Sequence, residues 1–279
     1  MKKECPWKRR LSASLGRQPA RPVLNPSKVS ILSHPIPEKP ENPGPGNVQR
    51  AVVRSGFIWS AADAYLFDID GTLLNSRDAV HYFSFRNAVR DVLGMDATID
   101  GVPVHGNTDM GIIRAVLRRT GMEDEAIDKH LPMIFKQMVA EVSSKRDDIR
   151  PELCPSIPEL IERLHQSGKL LGVASGNLEQ IGWLKLEKAG LRSRFQFGAF
   201  SFPLEFRADI FRFGLEQATK RLGAGATVYV VGDTPADVAA ARSVGLSVIA
   251  MATGTYSFGE LLSCRPDACL ACGTDLLNL

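Results

Sequence analysis

Two carboxylates stand two residues apart in Tyr65-Leu66-Phe67-Asp68-Ile69-Asp70-Gly71-Thr72. The apolar run Tyr65-Leu66-Phe67 reads as a buried strand. Side chains at i and i+2 of a strand point to one side, so Asp68 and Asp70 can face one spot at its end. Gly71 permits a sharp turn and brings backbone N–H groups close to whatever binds there. Two like charges this close are costly unless a cation or a shared proton relieves them. Packing alone is a poor explanation for acids at a strand tip; a solvated acidic turn is the bland alternative.

Two further stretches have the same form. Lys169 to Ala174 reads as a strand and runs into Ser175-Gly176-Asn177. A small hydroxyl and a glycine at a strand tip can donate several hydrogen bonds to a phosphate oxygen, or can serve only as a turn and cap. Thr227 to Val231 is a third buried-type strand and ends in Gly232-Asp233-Thr234-Pro235-Ala236-Asp237. Pro235 suits the first turn of a helix, with Thr234 or Asp233 as its cap. An acid at that tip also suits Mg²⁺, which takes six oxygens and keeps several waters.

Asp68-Ile69-Asp70-Gly71-Thr72, Ser175 and Gly232-Asp233-x-x-x-Asp237, in that order, resemble the motifs of the haloacid dehalogenase-like (HAD) hydrolase superfamily. The resemblance covers about residues 61–275. It implies that Asp68 is a nucleophile forming an aspartyl-phosphate and Asp70 a general acid/base. The chemistry is consistent: a carboxylate attacking phosphate needs a cation to cancel repulsion, and a second carboxyl can protonate the leaving oxygen and later deprotonate water. It implies phosphate contacts from Gly71, Thr72, Ser175, Gly176 and Asn177. It implies Mg²⁺ held by Asp68, Asp70 and Asp233, with Asp237 behind them. The family pattern also supplies a lysine before the third site helix, and here the sequence departs from it. From Ala189 to Thr219 there is no lysine; Glu205 occupies that position and Arg207 follows two places later. Arginine stays protonated and can clamp a carboxylate or phosphate with two N–H groups, so Arg207 is the expected substitute.

These motifs need elements to carry them. Strand and helix alternate from Leu66 onward, which predicts an α/β fold: a Rossmann-like parallel sheet with helices on both faces. Strand tips are where such sheets bind ligands. Between Ala79 and Arg150 the pattern is helical only. Val80 to Leu93 is one stretch, Asp109 to Leu117 a second behind the cap Thr108, and Glu125 to Val142 a third that Pro132 kinks or splits. An all-helical insertion directly after a catalytic strand is placed to act as a lid. The resemblance implies the same helical cap, and with the Gly106-Asn107-Thr108-Asp109 turn it points to the phosphoglycolate-phosphatase-like branch. The expected organisation is a tail over 1–55, the α/β core over 56–78 and 151–279, and the cap over 79–150.

Composition bounds the rest. Of 279 residues, 44% are apolar and 23% charged, as in a globular protein. The net charge of +3 is uneven: residues 1–50 carry ten Lys/Arg against three Glu, so the remainder is mildly acidic. That argues against nucleic-acid binding, and no apolar run of ~18 residues predicts a membrane span. Nine of the seventeen prolines fall in residues 1–50, which reads as a basic, disordered tail or a transit peptide. The expected location is cytoplasmic, or an organelle in the second case. Cys264, Cys269 and Cys272 lack a nearby fourth ligand, so thiols are expected there rather than zinc. The expectation is a Mg²⁺-dependent phosphatase whose partner is a small phosphorylated metabolite. The alternatives are a phosphomutase or a catalytically inactive binding or regulatory protein.

Overall fold

A computed structural model describes residues 50–279; the tail expected over most of 1–55 lies outside them. In chain order the elements are β1 (Ala51–Val53), β2 (Ala64–Phe67), β3 (Leu74–Ser76), α1 (Val80–Leu93), α2 (Asp109–Arg119), α3 (Asp124–Ser144), β4 (Pro151–Leu153), α4 (Ile157–Gln166), β5 (Leu170–Leu178), α5 (Glu179–Lys188), β6 (Phe197–Ser201), α6 (Arg207–Leu222), β7 (Val228–Gly232), α7 (Pro235–Ser243), β8 (Ser247–Met251), α8 (Phe258–Ser263), β9 (Ala268–Leu270) and α9 (Gly273–Leu277). Seven strands form one sheet in the order β1-β9-β8-β7-β2-β5-β6. It is parallel except for β1, which pairs antiparallel with β9. Helices cover both faces, burying Tyr65 and Phe67 in one apolar cluster and Leu66 in another.

The order matters more than the number of strands. β2 lies between β7 and β5, with Phe67 level with both Val231 and Val173. Asp68, Asp233 and Ser175 therefore end up on three adjacent strands at the same end of the sheet. The chain winds outward from β2 to β6 and then returns to β7 on the other side of β2. That reversal opens the crevice where ligands bind in open α/β sheets.

One sequence expectation shifts. β1 falls inside the stretch assigned to the tail, because Ala51 to Val53 finds a partner in β9 that no local pattern announces. β9 therefore lies inside the sheet, with β1 at its edge. Of the two outcomes expected at Pro132, splitting does not occur: α3 runs through it as one helix. Its apolar stripe of Ile127, Leu131, Ile134, Phe135 and Met138 is buried, and that packing outweighs the ~3 kcal/mol a mid-helix proline costs.

The segment between β3 and β4 is the helical insertion, with its own apolar centre of Phe85, Ile113, Leu117, Ile127 and Ile134. β3 and β4 pair as a two-stranded ribbon, so the chain enters and leaves the insertion side by side. Asp78 ties the two passes together: its carboxylate accepts Val80 N at 3.0 Å and Arg150 N at 2.7 Å. Among the described residues no helix is long and apolar enough to cross a membrane.

Candidate active site

Asp68 follows β2 and is buried. Its backbone N–H still continues the sheet, donating to Val231 O at 3.0 Å. Asp233 follows β7 in the same way. Carboxylate oxygens of Asp68, Asp233 and Asp237 lie within 4.8 Å of one another, all buried. The Asp68 carboxyl is pushed up to about 6: burial is the largest cause, Arg207 acts against it, and Asp237 and Asp70 act with it. Asp233 is raised well above the usual carboxylate range by burial first and then by Asp237 and Asp68.

Asp233 is held from below. Thr72 Oγ1 donates to its Oδ1 at 3.1 Å. Gly71 has φ +84°, and a Cβ built there would stand 2.2 Å from Asp233 Oδ2. Only glycine gives both the left-handed backbone and the clearance. Gly71 and Thr72 thus both bear on Asp233.

Arg207 is the first residue of α6. Its Nη2 lies 2.6 Å from Asp68 Oδ2 and its Nε binds Asp237 Oδ1. The structure thus brings Arg207 beside Asp68. Burial alone would lower its pKa, but the Asp237 and Asp68 charges raise it, so it stays cationic. The contact to Asp68 lies outside hydrogen-bonding geometry, leaving Nη2 a buried donor with no hydrogen-bond partner. Both oxygens of Asp237 already have partners: Oδ1 takes Arg207, while Oδ2 accepts the backbone N–H and hydroxyl of Thr234 at 3.0 and 2.7 Å. Thr234 and Asp237 close a capping box at the start of α7.

Asp70 belongs to a different group. Its carboxylate lies outside the buried trio of Asp68, Asp233 and Asp237. Lys185 Nζ donates to both its oxygens at 2.8 and 2.7 Å, and Asn177 Nδ2 donates at 2.7 Å. Asn177 Nδ2 also reaches Ser175 Oγ at 2.9 Å, and Lys185 reaches Asn177 Oδ1 at 2.9 Å. Burial raises the Asp70 carboxyl, but Lys185 and Asn177 outweigh it and hold its pKa below the usual value. Two acids two residues apart are thus driven in opposite directions by their neighbours. Ser175 and Asn177 are not a turn: β5 continues through them to Leu178, with its register slipping between Ser175 and Leu178.

Sequence reading missed Lys185. The available signal was its place four residues after Ile181, on the buried face of α5. A lysine there needs a charge partner, and Asp70 is it.

The helical insertion closes over these groups. Asp109 accepts Leu178 N at 2.7 Å and faces His81 Nε2 at 3.2 Å. Thr108 Oγ1 donates to Glu205 O at 2.7 Å. Arg114 donates to the Glu205 carboxylate at 2.9 Å and to Asp128 at 2.7 Å. Glu205, in the position expected for a lysine, therefore holds the insertion and does not pair with Arg207. At Gly176 a Cβ would meet Asn107 O at 2.3 Å, so only glycine lets the two backbones approach this closely. Between insertion and sheet lies a cavity of about 370 Å³ lined by Asp68, Asp70, Ser175, Asn177, Lys185 and Arg207 below. That size suits a small metabolite. The four cysteines among the described residues are free thiols, and none belongs to a metal-capable cluster.

A sequence profile described as haloacid dehalogenase-like hydrolase matches residues 65–251. A phosphoglycolate phosphatase of Synechococcus elongatus is 30% identical over 218 residues, 77% of this chain and 95% of that one. A predicted phosphoglycolate phosphatase from Haemophilus somnus 129pt superposes with TM-score 0.55 at 19% identity, covering 78% of this chain and 97% of the other. A predicted phosphatase from Clostridium acetobutylicum gives TM-score 0.56 at 18% identity, covering 77% and 96%.

Proposed function

The chain belongs to the haloacid dehalogenase-like hydrolase family, and on that premise we propose that it is a Mg²⁺-dependent phosphatase of a small phosphorylated metabolite, working through an aspartyl-phosphate on Asp68. One observation carries the reading. Asp68, Asp233 and Asp237 place three buried carboxylates around one guanidinium, while Asp70 and Lys185 neutralise each other. The site is short of positive charge, and its donors are all oxygen. A hard divalent cation fits that set. Asp68 and Asp233 would hold it, since both oxygens of Asp237 are already engaged. When bound, Mg²⁺ supplies positive charge that keeps Asp68 ionised and offsets the charge of the phosphate.

The chain's own groups do the rest. Asp68 attacks phosphorus in line as the bond to the leaving oxygen breaks. Arg207 Nη2 turns its unused N–H to a phosphate oxygen, and Ser175 Oγ–H donates to another. Asp70 is ionised at rest, so the proton it passes to the leaving oxygen enters with the substrate's phosphate monoanion. After the alcohol departs, Asp70 takes a proton from water as the water's oxygen attacks the phosphoryl group. Asp70 passes that proton to the departing inorganic phosphate, and both Asp68 and Asp70 are regenerated as carboxylates. Lys185 and Asn177 keep Asp70 aimed, and the insertion acts as a cap that excludes bulk water during the first half. Arg207's place beside Asp68 speaks against a catalytically inactive reading.

The test is hydrolysis of p-nitrophenyl phosphate with Mg²⁺ and with chelator, alongside the Asp68→Asn variant. Turnover that needs both Mg²⁺ and Asp68, with one phosphoryl group on Asp68 in the acid-quenched enzyme, is the expected result. Turnover that survives Asp68→Asn removes the proposed nucleophile.

A further inference from the structure

We infer that Asp109, an acid of the insertion, is a positioning residue for the acid/base group Asp70, acting through the end of β5. This rests on the phosphatase reading above and gives a task to a residue that reading does not use.

β5 and β6 pair regularly from Gly172 to Ser175, and pairing resumes only at Leu178, opposite Ser201. Gly176 and Asn177 fall in the slip between. The slipped segment carries two groups of the site. One is Ser175. The other is Asn177, whose amide nitrogen ties Ser175 Oγ to Asp70 and whose oxygen accepts Lys185. A strand end that has left its ladder must satisfy its buried N–H groups elsewhere. The insertion supplies the partners. Asp109 Oδ2 accepts Leu178 N at 2.7 Å, and the adjacent Met110 N donates to Ser201 Oγ at 3.1 Å. The first turn of α2 thus closes on Leu178 and on the residue paired with it. At Gly176 a Cβ would stand 2.3 Å from Asn107 O and 3.0 Å from Thr108 Cα. The insertion therefore bears on residues 176 and 178, and Asn177 lies between them.

Asp109 has no simpler role. An acid in the first turn of a helix suits the helix dipole, but it does so at the surface. Asp109 is only 4% exposed. A buried carboxylate is costly unless it is hydrogen-bonded. The Oδ2 that takes Leu178 N also faces His81 Nε2 at 3.2 Å. The His81 ring in turn lies against Phe85, with ring centroids 5.0 Å apart. The carboxylate is thus fixed from the insertion's side, with its acceptor on one backbone N–H of the sheet. Without that acceptor Leu178 N–H has no partner, and the slipped stretch shifts with Asn177 on it. Asn177 then draws the Asp70 carboxylate off its line to the leaving oxygen. A misplacement of about 1 Å is enough to slow a reaction about 10²-fold.

The test compares phenyl phosphate with p-nitrophenyl phosphate, using the full chain and saturating Mg²⁺. The two esters have similar shapes, but phenoxide leaves far less readily and needs the proton from Asp70. Asp109→Ala is expected to lower kcat about thirtyfold on phenyl phosphate and about threefold at most on p-nitrophenyl phosphate. The ratio of the two rates does not depend on the folded fraction. Asp109→Asn keeps an oxygen for Leu178 N and is expected to recover most of the loss. In the Lys185→Met background, Asp109→Ala should cost at most about threefold more on phenyl phosphate, because both changes act on Asp70. Four results would each overturn the inference and leave the phosphatase reading intact. They are equal losses on the two esters, a raised KM at unchanged kcat, an Asn variant as poor as Ala, and a further loss of about thirtyfold in the double variant. No turnover of p-nitrophenyl phosphate by the unaltered chain defeats the phosphatase reading, and this one falls with it.

Discussion

The floor and the roof of the cleft are built on opposite principles. The floor gathers Asp68, Asp233, Asp237 and Arg207 with their charges out of balance, and burial holds two of the acids far from their ordinary pKa. The roof is an ordinary helical layer whose polar groups nearly all have partners before anything binds. On the reading proposed above, the unbalanced charge lies where bonds are to be broken, and the roof is left to meet the leaving group. Such a division lets the floor fix the reaction while the roof decides which alcohol fits.

Changes to the floor should therefore be the larger. Asp68→Asn is expected to cut kcat by at least about 10³-fold, because no other group can accept the phosphoryl group. The same variant removes a buried like charge, so its metal-free form should melt higher than wild type; a lower melting temperature would mean that Asp68 is not strained at rest. Lys185→Met should cost about 10²-fold in kcat with little change in KM, through misplacement of Asp70. The loss should be greater for alkyl phosphates than for p-nitrophenyl phosphate, whose leaving group needs no proton. A uniform loss across substrates would assign Lys185 to packing alone.

At the join of floor and roof, Arg114→Ala should raise KM about tenfold and leave kcat nearly intact, since two charge-assisted bonds are worth about 1.4 kcal/mol or more. An unchanged KM would show that the Glu205 contact does not hold the roof down. The smallest effect is thermal. Asp68 and Asp233 have raised pKa values, so the folded protein keeps protons that the unfolded chain has lost. Their contribution to metal-free stability is present at acid pH and is lost as pH rises through about 6. The melting-temperature gain from Mg²⁺ should accordingly be larger near pH ~7.5 than near pH ~5. An equal gain at both would place the ion away from these carboxylates.

Much of this was legible in the chain. Local signals gave the strands that lead to Asp68, Ser175 and Asp233, because an apolar run followed by an acid or hydroxyl and glycine is written in consecutive residues; that β5 runs on past Ser175 to Leu178 was not among them. The helical character of the insertion was equally local. Two features were not: the pairing of β1 with β9, and the service of Gly71 and Thr72 to Asp233. Each depends on a partner far away in sequence.

The sequence by itself determined which carboxylates stand at strand tips and that a cation was owed to them, since like charges cannot share a buried corner unaided. Only the tertiary structure decided how each acid is served. It set β2 between β7 and β5, brought Arg207 to Asp68, gave Asp70 to Lys185, and turned Glu205 away to Arg114. Charge pairing is decided by distances of a few ångströms between segments tens to more than a hundred residues apart, and no periodicity along the chain encodes those distances.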